Sequence, residues 1–188
     1  MCFHEDIEIL CYNQDTKEEY YKKIKNIKKG EYVKSHGTEK KYSKVIYVGC
    51  IYSVNNYKFL DSHKGWQKHF YENKIYKDIK LTGGHSVLKK VLNEREKKQI
   101  IIDYYDRINY NEEKRKIDGL IRCPVVFLKD EYQVYQSNNK INKIYLLSIE
   151  SSNPDLSYGL YSKHDILFES CGETYTKNSI GENKFNKD

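Results

Sequence analysis

Apolar side chains at Ile7 and Ile9 flank Glu8 in the run Ile7-Glu8-Ile9-Leu10-Cys11-Tyr12, the two-residue period of a half-buried strand. Asn13-Gln14-Asp15 turns the chain, and Lys28-Lys29-Gly30 marks a second turn before Tyr32-Val33 begins another strand. The stretch from Lys44 to Val54 is the most β-rich of the N-terminal half and predicts one long strand, bent at Gly49. Asn55 to Asn73 shows no period. Short β-prone flanks, Asp78-Ile79-Lys80-Leu81 and Val87-Leu88, then enclose Thr82-Gly83-Gly84-His85-Ser86. Lys89 to Gly119 is dominated by charge; a helix fits Lys89–Lys98, and the segment of about 89–119 reads as a charged surface insertion. The β pattern resumes at 120–127, 132–135 and 143–150, and two short strands follow at 158–161 and 166–169. The pattern predicts an all-β domain over 1–171 and a polar, mobile tail over 172–188.

Composition narrows this picture. There is no repeat and no apolar run of about eighteen residues, which excludes a helical membrane span. The first six residues, Met-Cys-Phe-His-Glu-Asp, lack the basic and apolar regions of a secretory leader, so the expected setting is the reducing cytoplasm. Five cysteines, Cys2, Cys11, Cys50, Cys123 and Cys171, are odd in number and widely spaced, with no Cys-x-x-Cys. They predict separate thiols rather than a disulfide framework or a zinc site. His63 and His69 suit a metal only if further ligands come from elsewhere, and surface histidines are the simpler reading, so no metal or cofactor is expected. The formal charge of +6 and the 19 tyrosines invite a nucleic-acid reading. Only four of the 33 basic residues are Arg, however, and the lysines alternate with Glu and Asp, so a solvated face is expected instead, on a monomer.

Thr82 and His85 place a hydroxyl and an imidazole three residues apart around Gly83-Gly84, whose lack of Cβ permits positive φ and close backbone approach. Both side chains can then address one peptide. A hairpin turn with a satisfied histidine beside it explains the same residues, so the motif needs partners. Cys2, just ahead of the first strand, is one candidate; a small buried residue is its alternative. Cys11, Cys50 and Cys123 fall inside strands and read as core. Cys171 reads as the start of a flanking segment or as an exposed thiol, His4 as a surface residue, and His164-Asp165 are adjacent and so face opposite ways.

Cys2-Phe3 followed by Ile7–Cys11, Ile27-Lys28-Lys29-Gly30-Glu31-Tyr32-Val33, Asp78–Leu88 with its Thr-x-x-His, and the strands Ile144–Glu150 and Tyr158–Tyr161 occur in an order that resembles the Hint domain. This is the autoprocessing fold of inteins and hedgehog C-terminal domains, and the resemblance spans about residues 2 to 171. It implies a flattened disc of long bent antiparallel strands with pseudo-twofold symmetry, one half around Cys2–Val54 and the other around 120–170. Glu31 replaces the Asp of the Leu-x-x-Gly-Asp-x-Val signature. Glu169-Ser170 stand where an intein carries His-Asn, and Leu146 replaces an Asp that many inteins carry.

The resemblance implies Cys2, Thr82 and His85 as catalytic residues. Cys2 would attack the carbonyl of the residue before it through a five-membered ring, an N-to-S acyl shift giving a thioester. His85 would protonate the departing amine while Thr82 orients the same peptide. The thiol is then expected partly exposed, near a base or a positive charge. Without His-Asn, single-turnover cleavage of the chain's own N-terminal flanking polypeptide is expected rather than full splicing, with water or a small thiol as acyl acceptor. The alternative is a degenerate, non-catalytic β module that binds a protein or anionic partner.

Overall fold

The computed structural model describes residues 2–52, 68–103, 111–136, 143–181 and 185, and His63, one of the two histidines weighed for a metal, lies outside them. Thirteen strands carry the described fold: β1 Glu8–Tyr12, β2 Glu19–Lys23, β3 Tyr32–His36, β4 Tyr42–Tyr52, β5 Phe70–Asn73, β6 Lys80–Thr82, β7 Ser86–Lys89, β8 Lys116–Ile117, β9 Leu120–Pro124, β10 Tyr132–Val134, β11 Lys143–Ile149, β12 Gly159–Tyr161 and β13 Leu167–Glu169. Two helices join them, α1 Glu94–Asp103 and α2 Glu173–Ile180. The mostly β character read from the alternation holds.

The larger sheet runs β11-β4-β3-β12-β13-β7-β9-β8, with β1 paired to β3 and β2 at its margin; β10-β5-β6 form a second, three-stranded sheet. Every strand pairing among the described residues is antiparallel. The chain's first residues are laid between the two sheets. Phe3 bridges Leu81 of β6 on one side and Tyr145 of β11 on the other. Its amide donates to the Tyr145 carbonyl at 2.9 Å, and Tyr145 returns the bond at 3.0 Å. The Phe3 ring is fully buried against Phe168, with ring centroids 5.7 Å apart, so this residue is part of the core between the two sheets.

The predicted turn at Gly30 forms at φ +92°, a left-handed value that any Cβ would strain. Glu31, in the place of the signature's Asp, closes that turn. Its carboxylate accepts the Lys28 amide at 3.0 Å and the Lys22 ammonium at 2.7 Å, while Ile27 and Val33 enter the core on either side. At Gly49 the outcome differs from the expectation. The irregularity in the β4–β11 ladder falls between Ser148 and Ile149, opposite Tyr47 and Val45, and Gly49 stays in register with Leu146. A Cβ at Gly49 would lie 2.3 Å from the Tyr47 hydroxyl, so this glycine makes room for a side chain rather than for a bend.

Within the charged segment, α1 starts at a reciprocal capping box. Asn93 Oδ1 accepts the Glu96 amide at 2.9 Å and Glu96 Oε2 accepts the Asn93 amide at 2.9 Å, two otherwise orphaned donors satisfied together. Leu92 and Ile100 anchor the helix to the core, so this part of the expected surface insertion is packed. Within the stretch read as a tail, Glu173–Ile180 form α2 against β11. Its reason is polar and buried. Thr176 is fully enclosed, and its hydroxyl meets Ser148 Oγ at 2.6 Å and the Gly172 carbonyl at 2.9 Å. No helix among the described residues is long and apolar enough to cross a membrane.

Candidate functional site

Thr82 ends β6 and Ser86 starts β7, and the turn between them is closed by the His85 amide donating to the Thr82 carbonyl at 2.9 Å. Gly83 and Gly84 do not use the positive φ open to them; the glycines that adopt it among the described residues are Gly30, Gly37, Gly119 and Gly181. The turn is bound through its backbone. Val126 donates its amide to the Gly83 carbonyl at 3.1 Å and Val125 to the His85 carbonyl at 2.9 Å, tucking the turn beneath the segment that follows β9. Every residue from Leu81 to Leu88 is buried.

Two of the three residues proposed for chemistry meet at the Cys2 backbone. The Cys2 amide donates to Thr82 Oγ1 at 3.1 Å. The Thr82 hydroxyl donates in turn to the Cys2 carbonyl at 3.3 Å, and the Thr82 amide reaches the same carbonyl at 3.0 Å. Thr82 therefore grips both polar atoms of Cys2's backbone, including the nitrogen that an acyl shift would release.

His85 stands beside this contact. Its ring packs edge-on to Phe3, with centroids 4.2 Å apart, and Nε2 lies 2.8 Å from the Glu169 carbonyl. A carbonyl only accepts, so Nε2 carries the hydrogen and the neutral ring presents a bare Nδ1. Among the described residues that nitrogen is the one buried side-chain nitrogen or oxygen without a hydrogen-bond partner. Burial pushes the imidazole pKa down to about 3, and the positive charge of the chain's amino terminus acts the same way. The Glu169 carbonyl and the nearby Cys2 backbone oppose the shift, the latter without meeting Nδ1 in a hydrogen bond. His85 is thus neutral at physiological pH, and an unpaired buried nitrogen is costly enough to need a reason.

The Cys2 thiol is not partly exposed as expected. It is fully buried, and burial raises its pKa; the amino-terminal charge and Thr82 only partly offset this. The surroundings are apolar: Ile51, Phe70, Ile144, Leu146 and Cys171. Cys171 was legible only as a flanking residue or an exposed thiol, yet it is buried in this cluster with Cys2, and burial pushes its thiol up to about 12. The strand register explains the meeting. Phe3 pairs with Tyr145 on one edge of β11, and two residues on, the Leu147 carbonyl accepts the Cys171 amide at 2.9 Å. The N-terminal segment and the segment after β13 thus occupy consecutive stretches of one strand edge.

The remaining candidates go elsewhere. Cys11 and Cys123 are core residues, and Cys50 is half-buried. His69 is exposed, and no group of three metal-ligating side chains occurs among the described residues. His4 is half-buried; burial and Lys80 lower its pKa. His164 does not pair with Asp165 but lies 3.2 Å from both carboxylate oxygens of Asp78 and stacks on Tyr76 at 3.9 Å. That exposed cluster, joined across β6 and the turn before β13, had no sequence signal. Comparison with models of protein families and with curated proteins finds no match to the chain.

Proposed function

We propose that this chain is a Hint-type autoprocessing domain that forms a thioester at Cys2 and cleaves the peptide bond preceding it. The observation that carries the reading is the double grip of Thr82 on the Cys2 backbone beside a buried imidazole whose Nδ1 lacks a partner. In this account Cys2 Sγ attacks the carbonyl carbon of the residue before it, closing a five-membered ring with the Cys2 nitrogen, Cα and Cβ. The C–N bond then breaks, leaving the acyl group on sulfur and a free amine on Cys2. The proton must travel from sulfur to nitrogen. Neutral His85 can take it from the thiol at its bare Nδ1 and return it to the amine, so no net proton is gained or lost.

The low pKa favours the second half of this exchange: an imidazolium in an apolar enclosure is a strong acid toward the amine, an otherwise poor leaving group, whereas the same burial makes the neutral ring a weak base toward a thiol whose own pKa is raised, so the first transfer is the demanding one. Thr82, already bonded to the Cys2 nitrogen, holds that nitrogen in place as it changes from amide to amine. Ser170, in the position of the cyclising Asn, instead accepts the Tyr158 amide at 3.0 Å, and it has no side-chain amide with which to release a C-terminal flank. Cleavage is therefore at the N-terminal junction alone, with water or a small thiol taking the acyl group as the buried segment opens.

A fusion carrying a soluble protein ahead of Cys2 tests the reading. Thiol-accelerated release is expected from the wild type, none from Cys2→Ala, and release slowed about 100-fold or more from His85→Ala. A folded fusion that never cleaves would turn the reading to the alternative, a Hint-like module whose chemistry is lost and whose role is binding.

A further inference from the structure

Glu169 occupies the position at which the resemblance would put the histidine of a C-terminal His-Asn pair, and its side chain is almost fully enclosed, with 4% exposed. The carboxylate accepts Arg122 Nη1 at 3.1 Å and the Ser157 hydroxyl at 2.5 Å. Arg122 is itself held. Its Nε donates to the Arg115 carbonyl at 3.1 Å and its Nη2 to the Lys114 carbonyl at 2.8 Å, while Arg115 returns two bonds to the Arg122 carbonyl, at 3.1 and 2.7 Å. Arg122 lies opposite Leu88 in the β7–β9 ladder, three residues after His85, and Phe168, next to Glu169, lies opposite Val87. The bonds form a closed circuit. It runs from His85 along β7, across to Arg122 in β9, through the ion pair to Glu169 in β13, and from the Glu169 carbonyl back to His85 Nε2 at 2.8 Å.

We propose that Arg122 is a positioning residue: by clamping the Glu169 carboxylate it fixes the Glu169 carbonyl against Nε2 and so holds His85 in the tautomer whose Nδ1 is bare. Its importance to catalysis rests on the function proposed above; the tautomer claim does not. A residue in the place of a C-terminal catalytic group thereby serves the N-terminal reaction. Release of the clamp would let β13 shift, weaken the Nε2 bond and allow the proton to move to Nδ1, where the ring has no lone pair with which to accept the thiol's proton.

The test is the ring-nitrogen spectrum of His85 in the full-length, 15N-labelled chain at neutral pH, where the two nitrogens of a neutral imidazole report directly which one bears hydrogen. The wild type and Arg122→Lys should show hydrogen on Nε2, and Arg122→Ala should raise the Nδ1–H form about tenfold, the loss of roughly one hydrogen bond's preference. Glu169→Gln, which keeps the side-chain volume and removes the charge, should move the spectrum in the same direction and serves if Arg122→Ala does not fold. A wild type with hydrogen on Nδ1, or a folded variant of either kind with an unchanged His85 spectrum, would overturn the proposal. Cleavage measured in parallel separates the two readings: a tautomer that moves in a chain that never cleaves leaves the positioning intact and removes the proposed function.

Discussion

At the scale of the residue, burial governs the chemistry of the chain. Cys2, Cys11, Cys123 and Cys171 are closed off and burial raises each thiol pKa, whereas Cys50 is half-buried. Brief alkylation of the native chain followed by peptide mass mapping should therefore label Cys50 well before the other four, which should react only on unfolding. Early labelling of Cys2 would mean that the N-terminal segment opens readily. The imidazole of His85 leaves a pH signature. Its folded pKa, about 3, lies below the ordinary value of 6.5, so the unfolded chain binds the extra proton between them and stability falls as pH drops through that window. Asp6, whose pKa is lowered to about 2 by its bond to Lys25, acts lower still, losing its contribution as pH falls from 3.8 toward 2. Denaturant midpoints measured from pH 7 to 4 should decline in the wild type and decline less in His85→Gln. Thr82, His85 and Cys2 were singled out by residue type and local spacing, and the fold sets Thr82 on the Cys2 backbone with His85 against Phe3. That the thiol is buried was not legible, since nothing in Met-Cys-Phe-His reveals that two sheets close over it.

At the scale of the element, strands were read where one face is apolar and overlooked where neither is. β1, β3, β4 and β11 announce themselves by alternation or by β-branched runs, and they form the pairings that frame the site. β2, Glu-Tyr-Tyr-Lys-Lys, has no buried face and exists because β1 offers it five backbone partners. β5 is the last four residues of the segment Asn55–Asn73, which shows no period, and its register with β6 and β10 comes from the partners rather than from its own sequence. α2 was hidden by polarity, because the residues that seat it are hydroxyls, Thr176 and Ser148, whose pairing is invisible until β11 and the helix are neighbours. Thr176→Val should cost about 1 kcal/mol in urea unfolding, as it takes from buried Ser148 Oγ its shortest hydrogen bond while leaving the one it donates to the Cys171 carbonyl at 2.8 Å. An unchanged midpoint would show that this hydrogen bond contributes nothing to holding the helix. Phe168→Ala, which empties the centre shared with Phe3 and His85, should cost about 3–5 kcal/mol by the same measurement.

At the scale of the whole molecule, the organising feature is that the chain's first residues complete the core. Phe3 joins the two sheets through Leu81 and Tyr145, Thr82 binds the backbone of Cys2, and Cys171 follows along the same edge of β11. Such an arrangement depends on contacts about eighty and more residues apart in sequence, which no local pattern encodes; the order of the motifs was its only trace in the sequence. On the proposed reading, folding itself would bring the bond ahead of Cys2 to the site, because Thr82 holds the Cys2 nitrogen. The most direct measurement is the intact mass of a partner protein fused ahead of Cys2, followed with and without a small thiol. The expected product ends at the residue before Cys2 and, when the thiol is present, carries it as a C-terminal thioester, in wild type but not in Cys2→Ala. A folded fusion that keeps its full mass, or a product cut at any other bond, would contradict thioester formation at Cys2.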